Sequence, residues 1–266
     1  MYPILYNSET LIIESYSFFF MLAMIVGFVV FYIDFKSRNW DVERMMMVLS
    51  GCVIGMVVGS TLFNLFLFDT YELIDKIRNL NFDGMSVIGG ISGGFIGVEI
   101  IKKIIGHKEP TGDAFALAIP LGHIIGRLGC LLGGCCYGTI CNFPWGVSYP
   151  KNSLAFMHHV HDGFIAYESA FSLPVHPTPI YEILFNIIIF LVLFKLRTKI
   201  HTVGALFRFY IVFYATFRFF EEFVRADTGA TLLYGLKFVQ FNLLCVIIYF
   251  AYWIYKNEFK SQKTLT

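Results

Sequence analysis

Arginine is the first residue type in this chain whose position implies chemistry. Arg127 sits in the apolar context Gly126-Arg127-Leu128-Gly129, and Arg218 sits in the aromatic run Tyr214–Phe223. Glu222 follows Arg218 by four residues, which on a helix places both side chains on one face. An ionised group at the centre of a bilayer costs at least about 2.5–3.5 kcal/mol, so such groups face a partner or a polar cavity. One reading is an internal Arg–Glu pair that fixes helix packing. The other is that Arg127 and Arg218 hold an anionic group, such as a lipid phosphate, through bidentate hydrogen bonds. Few acids lie nearby, and we favour the second. Arg208, lower on the same helix, is expected to snorkel.

A second group follows Arg127 directly. Cys130, Cys135, Cys136 and Cys141 fall within twelve residues, and His158, His159, His161 and His176 come after them. The spacing Cys-x4-Cys-Cys-x4-Cys lacks the paired Cys-x2-Cys of a structural zinc site. Disulfides in an oxidising compartment and a nucleophilic thiolate activated by Arg127 or a histidine remain open beside zinc. A net charge of +1 excludes a nucleic-acid partner, which needs a basic footprint.

The elements that must position these groups are membrane spans. The sequence is 57% hydrophobic and only 15% charged, and its mean hydropathy is +0.67. A soluble domain is about a quarter charged. Runs long enough to cross about 30 Å of hydrocarbon occur near Tyr16–Ile33, Met45–Phe68, Val87–Ile105, Ala114–Leu132, Ile180–Leu196, Val203–Phe223 and Leu233–Tyr255. Lys36, Arg38 and Arg44 follow the first run, Lys102, Lys103 and Lys108 the third, Lys195, Arg197 and Lys199 the fifth, and Lys256, Lys260 and Lys263 the seventh. The alternate connections are poor in basic residues. The expectation is an all-α, polytopic membrane protein, a single integral domain over 1–266. About seven helices would cross the bilayer, with the N-terminus outside, the C-terminus cytoplasmic and a long outer loop over about 133–179. The Asp69–Asp83 stretch reads as a solvated outer connector. Gly51, Gly55 and Gly59, and Gly93 and Gly97, recur every fourth residue and predict close helix packing. The run Gly89-Gly90-Ile91-Ser92-Gly93-Gly94 is glycine-rich enough to suggest a broken or re-entrant segment.

Taken in order, these motifs resemble the prolipoprotein diacylglyceryl transferases of bacterial inner membranes. The resemblance runs nearly end to end. It includes Tyr16, the Asp83-Gly84-Met85-Ser86 turn before a glycine-rich helix, Gly126-Arg127-Leu128-Gly129 and Phe143-Pro144-Trp145-Gly146-Val147. Further on come His176-Pro177-Thr178-Pro179-Ile180-Tyr181-Glu182 and Phe217-Arg218-Phe219-Phe220-Glu221-Glu222-Phe223-Val224-Arg225. The resemblance implies seven spans with the N-terminus outside. It also implies transfer of the diacylglyceryl group of phosphatidylglycerol, or a related anionic phospholipid, to the lipobox cysteine thiol of a prolipoprotein. No metal or organic cofactor is implied. A thiolate displaces a phosphate ester at carbon, which calls for a base near the thiol and positive charge on the departing phosphate. On this resemblance Arg218, Tyr214, Glu222 and Tyr16 are candidate catalytic residues, with Glu222 orienting Arg218. Arg127, Gly138, Ser92, Gly93, Gly94, His176 and Arg225 are candidate substrate-binding residues.

The departures lie in the same places. Where typical members carry a histidine that serves as base, this chain has Ser92. Where they carry asparagine, asparagine and glutamate after Gly-Arg-x-Gly, it has Cys130, Gly133 and Cys135. An arginine usual on the second span is replaced near Ser60. Cys130 and Cys135 therefore join the candidate catalytic residues of a cysteine-bearing branch, with His123 or His176 as substitute bases. The alternatives are a different acceptor or a cysteine-based mechanism, and a non-enzymatic protein that binds lipid or metal or exchanges thiols. A transporter is the least supported reading, because the charges cluster toward one side.

Overall fold

The computed structural model describes residues 3–8, 12–67, 87–108, 110–200, 202–226, 231–233 and 235–260. The acidic connector Asp69–Asp83 and the Asp83-Gly84-Met85-Ser86 turn lie outside these. A short antiparallel pair, β1 (Ile4–Asn7) and β2 (Ile12–Glu14), leads into α1 (Ser15–Ser37) and α2 (Val42–Leu67). Then come α3 (Val87–Ile104), α4 (Gly112–Gly133), the short α5 (Leu154–His161), α6 (Thr178–Leu196) and α7 (Ala205–Glu221). A second pair, β3 (Thr231–Leu233) and β4 (Leu236–Lys237), precedes α8 (Phe238–Ile254), which runs into a π-helical turn over Tyr255–Lys260.

Long helices thus occupy all seven apolar runs, and the protein is a mostly helical, multi-pass membrane protein. Among the described residues, five helices are long and apolar enough to cross a bilayer: Ser15–Ser37, Val42–Leu62, Gly112–Gly133, Thr178–Leu196 and Val239–Asn257. The other two are shorter and more charged. α3 carries Glu99, Lys102 and Lys103, and α7 carries Arg208, Arg218 and Glu221. Large apolar side chains stand exposed along the helices, among them Met21, Ile25, Ile54, Ile188 and Ile248. Water penalises such bare faces, whereas lipid does not.

Contacts divide the chain into two units, residues 1–32 with 110–266, and residues 33–109. In the second unit α2 packs on α3 through glycine. A Cβ on Gly59 would stand 2.6 Å from the Gly93 Cα, and one on Gly97 would stand 3.1 Å from the Gly55 Cα. The backbones touch because neither helix carries a side chain there, as the four-residue spacing predicted. The run from Gly89 to Gly94 is not broken. It lies within the continuous helix α3. Lipid offers the backbone no competing hydrogen bonds, so the helical ladder persists despite the low intrinsic propensity of glycine.

In the first unit α4, α6 and α7 share a core of Ala116, Leu117, Ile189, Leu193, Leu206 and Tyr210. Asp113, in the first turn of α4, is buried and reaches across to α7. Its carboxylate accepts from the backbone N–H of Gly204 at 2.7 Å and of Phe207 at 3.0 Å. It thereby supplies α7 with the N-terminal cap that its own sequence lacks. Arg208 does not simply snorkel, because its guanidinium stacks 3.7 Å from the Trp253 ring centroid on α8.

The loop between α4 and α6 is ordered by its own small core of Tyr137, Tyr149, Ala155 and Val175. Burial, and then the nearby thiols of Cys135 and Cys136, push the fully buried Tyr149 phenol up to about 12. α5 is capped by the Ser153 hydroxyl, which accepts from the Phe156 N–H. Buried His159 uses Nδ1 to accept the Leu173 N–H at 3.2 Å, and burial lowers its pKa.

Candidate active site

The candidate site forms where the ends of α4 and α7 meet the starts of α1, α6 and α8. Antiparallel succession of the spans brings these termini to one end of the unit. Gly129 and Gly133 open the face of α4 to Tyr16, and a Cβ on Gly129 would stand 3.3 Å from the Tyr16 Cα.

Its centre is Glu182, one turn into α6 and fully buried. Arg127 holds it through Nε, which donates to Oε2 at 2.8 Å, while Nη2 lies 2.7 Å from Oε1 as an ion-pair contact. His123, one turn before Arg127 on α4, places Nε2 2.9 Å from Oε2. Arg225, just past α7, brings Nη1 to 3.6 Å from Oε1. Such a carboxylate serves as a jig, fixing the planar fork of Arg127 with little freedom left.

Arg218 and Glu222 pair at 2.8 Å, as their four-residue spacing predicted, and Arg218 also reaches Glu221 at 3.2 Å. Lys237 approaches Glu222 from the start of α8 at 3.1 Å. The two acidic groups are linked electrically, since the charges of Glu182, Arg218, Arg225 and Arg127 all act on Glu221. Tyr214 lies between them. Its ring is 5.2 Å from that of His123 and stacks on Tyr210.

The cysteines sit directly beside this network. α4 ends in Gly134, whose φ of 73° closes the helix with a bond from its N–H to the Cys130 carbonyl. The Cys135 N–H donates to the same carbonyl at 3.1 Å. Cys136 follows at φ 58°, a left-handed conformation uncommon outside glycine and asparagine, and its carbonyl accepts from the Thr178 hydroxyl. The chain thus folds back on the last turn of α4. The sulfurs of Cys130, Cys135 and Cys136 all lie within 4.8 Å of one another, and Arg127 Nη1 is 3.7 Å from the Cys130 sulfur. All six cysteines are free, so the disulfide reading does not describe this structure. Hydrogen bonds from the Cys130 and Cys135 thiols, and then the charges of Arg127 and Arg225, pull the Cys136 pKa far down, while that of Cys135 is raised. Cys141 stands outside the trio, buried, with its N–H donated to the Pro174 carbonyl.

The remaining sequence candidates are placed differently. Gly138 forms a bridge with Arg225 and donates its N–H to the His176 carbonyl at 2.8 Å. A Cβ there would meet the His176 Cβ at 2.6 Å, so the crossing of the two segments requires glycine. His176 joins an aromatic set instead of the ion network. Its Nδ1 is 3.1 Å from the Tyr181 hydroxyl, which accepts from Trp145. Ser92, Gly93 and Gly94 belong to the other unit, where Gly93 serves the α2–α3 contact. Three site residues escaped sequence reasoning. Glu182 and Glu221 appeared there only as letters of motifs, although an acid inside an apolar run is itself a signal. Lys237 had a fainter one, as a lone basic residue where such residues are scarce.

Comparison with known proteins gives a consistent result. The family model described as prolipoprotein diacylglyceryl transferase matches residues 3–256. The chain is 26% identical to a phosphatidylglycerol–prolipoprotein diacylglyceryl transferase of Clostridium tetani, over 98% of this chain and 100% of that one. It is 27% identical to one of Dehalococcoides mccartyi, over 96% and 94%. It is 27% identical to one of Treponema denticola, over 81% and 77%.

Proposed function

The chain belongs to the prolipoprotein diacylglyceryl transferase family, and on that premise we propose that it moves the diacylglyceryl group of phosphatidylglycerol onto a prolipoprotein cysteine. It is then a transferase of lipoprotein biosynthesis. The observation that carries this reading is that Arg127 and Arg218 belong to one buried ion network at one end of the helices, Arg127 held by Glu182 and Arg218 by Glu221 and Glu222. Two guanidinium groups fixed in this way are suited to hold a phosphodiester by charge-assisted hydrogen bonds.

The mechanism follows from the geometry. The acceptor thiolate attacks the glyceryl carbon, the carbon–oxygen bond to phosphate breaks, and glycerol phosphate departs with one more negative charge than the diester had. Arg127 and Arg218 are held beforehand by Glu182, Glu221 and Glu222, so they meet that growing charge without reorganising. Glu222 is a positioning residue, shared between Arg218 and Lys237. Tyr16 and Tyr214 line the same end of the helices. Among the sequence candidates for a base, the position of His123 between Glu182 and Tyr214 favours it over His176.

The family match over residues 3–256 supports one integral membrane domain, and the two charged long helices complete a reading of seven spans. With basic clusters after alternate helices, the N-terminus lies outside and the C-terminus in the cytoplasm of a bacterial cell. The site then opens on the outer face of the inner membrane, where a lipobox peptide presents its cysteine.

Purified protein in phosphatidylglycerol vesicles, given a lipobox peptide, is expected to yield the thioether product, detected by mass spectrometry. Arg218→Lys should lower turnover about 100-fold or more, since the charge stays but the guanidinium, held through Nη1 by Glu221 and Glu222 with its other nitrogens left to meet a phosphate, is lost. An inactive parent protein under conditions where the Clostridium tetani relative is active would overturn the assignment.

A further inference from the structure

We propose that Cys130, Cys135 and Cys136 bind a thiophilic divalent cation of the zinc class, whose fourth position takes the thiolate of the acceptor cysteine. The first part rests on the cysteine geometry, and the second also rests on the transferase reading above. Three sulfurs within 4.8 Å of one another are close to what such an ion requires. At a zinc–sulfur distance of about 2.3 Å, tetrahedral ligands stand about 3.8 Å apart, a gap that rotation of the thiols about their Cα–Cβ bonds can close. A disulfide would join only two of them, at about 2.05 Å, and leave the third unused.

The trio has the marks of a built site. Cys136 keeps a left-handed backbone uncommon outside glycine and asparagine, and the Thr178 hydroxyl on its carbonyl holds it there. Gly134 makes the turn that returns Cys135 to the Cys130 carbonyl. Arg127, itself locked on Glu182, directs a guanidinium N–H at the Cys130 sulfur from 3.7 Å. Such a donor orients a ligand and offsets the negative charge that three thiolates bring. Cys130 is buried, whereas Cys135 and Cys136 are half-buried, so the face away from Cys130 can be reached. Three protein ligands and one open position are the arrangement of a catalytic, not a purely structural, zinc ion.

The ion also offers the acceptor a route to its thiolate that does not depend on His123, the base candidate held 2.9 Å from Glu182. A thiol bound to zinc loses its proton outright. In the step, the acceptor S–H proton passes to water as the sulfur coordinates. That sulfur then forms a bond to the glyceryl carbon, the carbon–oxygen bond breaks, and its electron pair leaves on the phosphate beside Arg127 and Arg218. The thioether is a poorer ligand and is released. No oxidation or reduction occurs.

The test uses the full chain in detergent. Protein stripped with a chelator is titrated with Co2+ as a spectroscopic probe and with Zn2+, and bound metal is counted. Transfer from phosphatidylglycerol to a lipobox peptide is measured in stripped, zinc-restored and magnesium-supplied protein. About one ion per chain is expected in the parent and in Cys245→Ser, with cobalt–thiolate absorption lost when Cys130, Cys135 and Cys136 are all serine. Turnover should fall at least about 10–100-fold on stripping and return with zinc but not magnesium. Parent-level turnover in stripped protein or in the triple serine variant overturns the proposal while leaving the transferase reading intact. Metal binding without transfer in any state refutes the transferase reading and the acceptor role together, and the cation site stands. Absence of stoichiometric binding in a correctly folded parent refutes the site itself.

Discussion

Glu182→Gln tests how the arginines are held. The change keeps the size and shape of the side chain and removes one negative charge from among Arg127, His123 and Arg225. Glu182 is fully buried and makes two short contacts with Arg127, a hydrogen bond to Oε2 and an ion-pair contact at Oε1. Removing one partner of a buried pair destabilises a fold by about 3–5 kcal/mol, because the other charge is left without compensation. The amide can still accept from one arm of Arg127, so the low end of that range is expected in thermal unfolding of the detergent-solubilised protein. Catalysis should suffer more than binding. Loss of one preoriented donor to a developing negative charge costs about 100- to 1000-fold in turnover. Meanwhile the site gains net positive charge, so KM for an anionic lipid should stay level or fall. Glu182→Asp keeps the charge, shortens the reach, and should recover part of the turnover. The assay is steady-state transfer at varied phosphatidylglycerol in mixed micelles. A variant that unfolds at the parent temperature and loses less than tenfold in kcat would refute the orienting role. So would a raised KM at unchanged kcat.

Other expectations concern stability. Asp113→Ala removes the shared cap of α7 and should cost about 1–2 kcal/mol, seen as a lower unfolding temperature and faster amide exchange in the first turn of that helix. Gly93→Val forces α2 and α3 apart where their backbones touch, and should cost more than the 1–3 kcal/mol or so of ordinary overpacking; Gly126→Ala, within a helix and with nothing within 4 Å, tests crowding against glycine loss as such. His159 is neutral in the fold and accepts a backbone N–H, with its pKa lowered by burial. The unfolded loop therefore binds the extra proton first. The stability His159 contributes is present above about pH 6.5 and is lost as pH falls through the lower folded value. Limited proteolysis of the 134–177 loop should speed up below that pH in the parent and much less in His159→Leu.

Much of the architecture was legible because its causes are local. An apolar run of about twenty residues has one stable state in lipid, a helix, since every backbone group must be satisfied within the segment. Helices accordingly appear at all seven runs, with ends within a few residues of those expected. Four-residue spacing carried the Arg218–Glu222 pair and the glycine seam of α2 with α3, because both follow from helical periodicity. The glycine-rich start of α3 misled for a related reason. Its composition describes how poorly it would form a helix alone, and its partner and solvent decide that it does.

The site itself was decided by the tertiary fold. Glu182 and Arg127 are 55 positions apart, and Asp113 and the α7 terminus more than 90. No periodicity links such residues, and only the meeting of particular helix ends brings a carboxylate under a guanidinium. Four cysteines in twelve residues announced reactivity, but which three converge was set by a left-handed turn after Gly134 and by a hydroxyl from α6. Sequence therefore determined the spans and the kinds of group available, through short-range geometry and transfer to lipid. Packing of the spans determined which charges compensate one another and which thiols share a space, because Coulomb energy and coordination depend on distances across the chain.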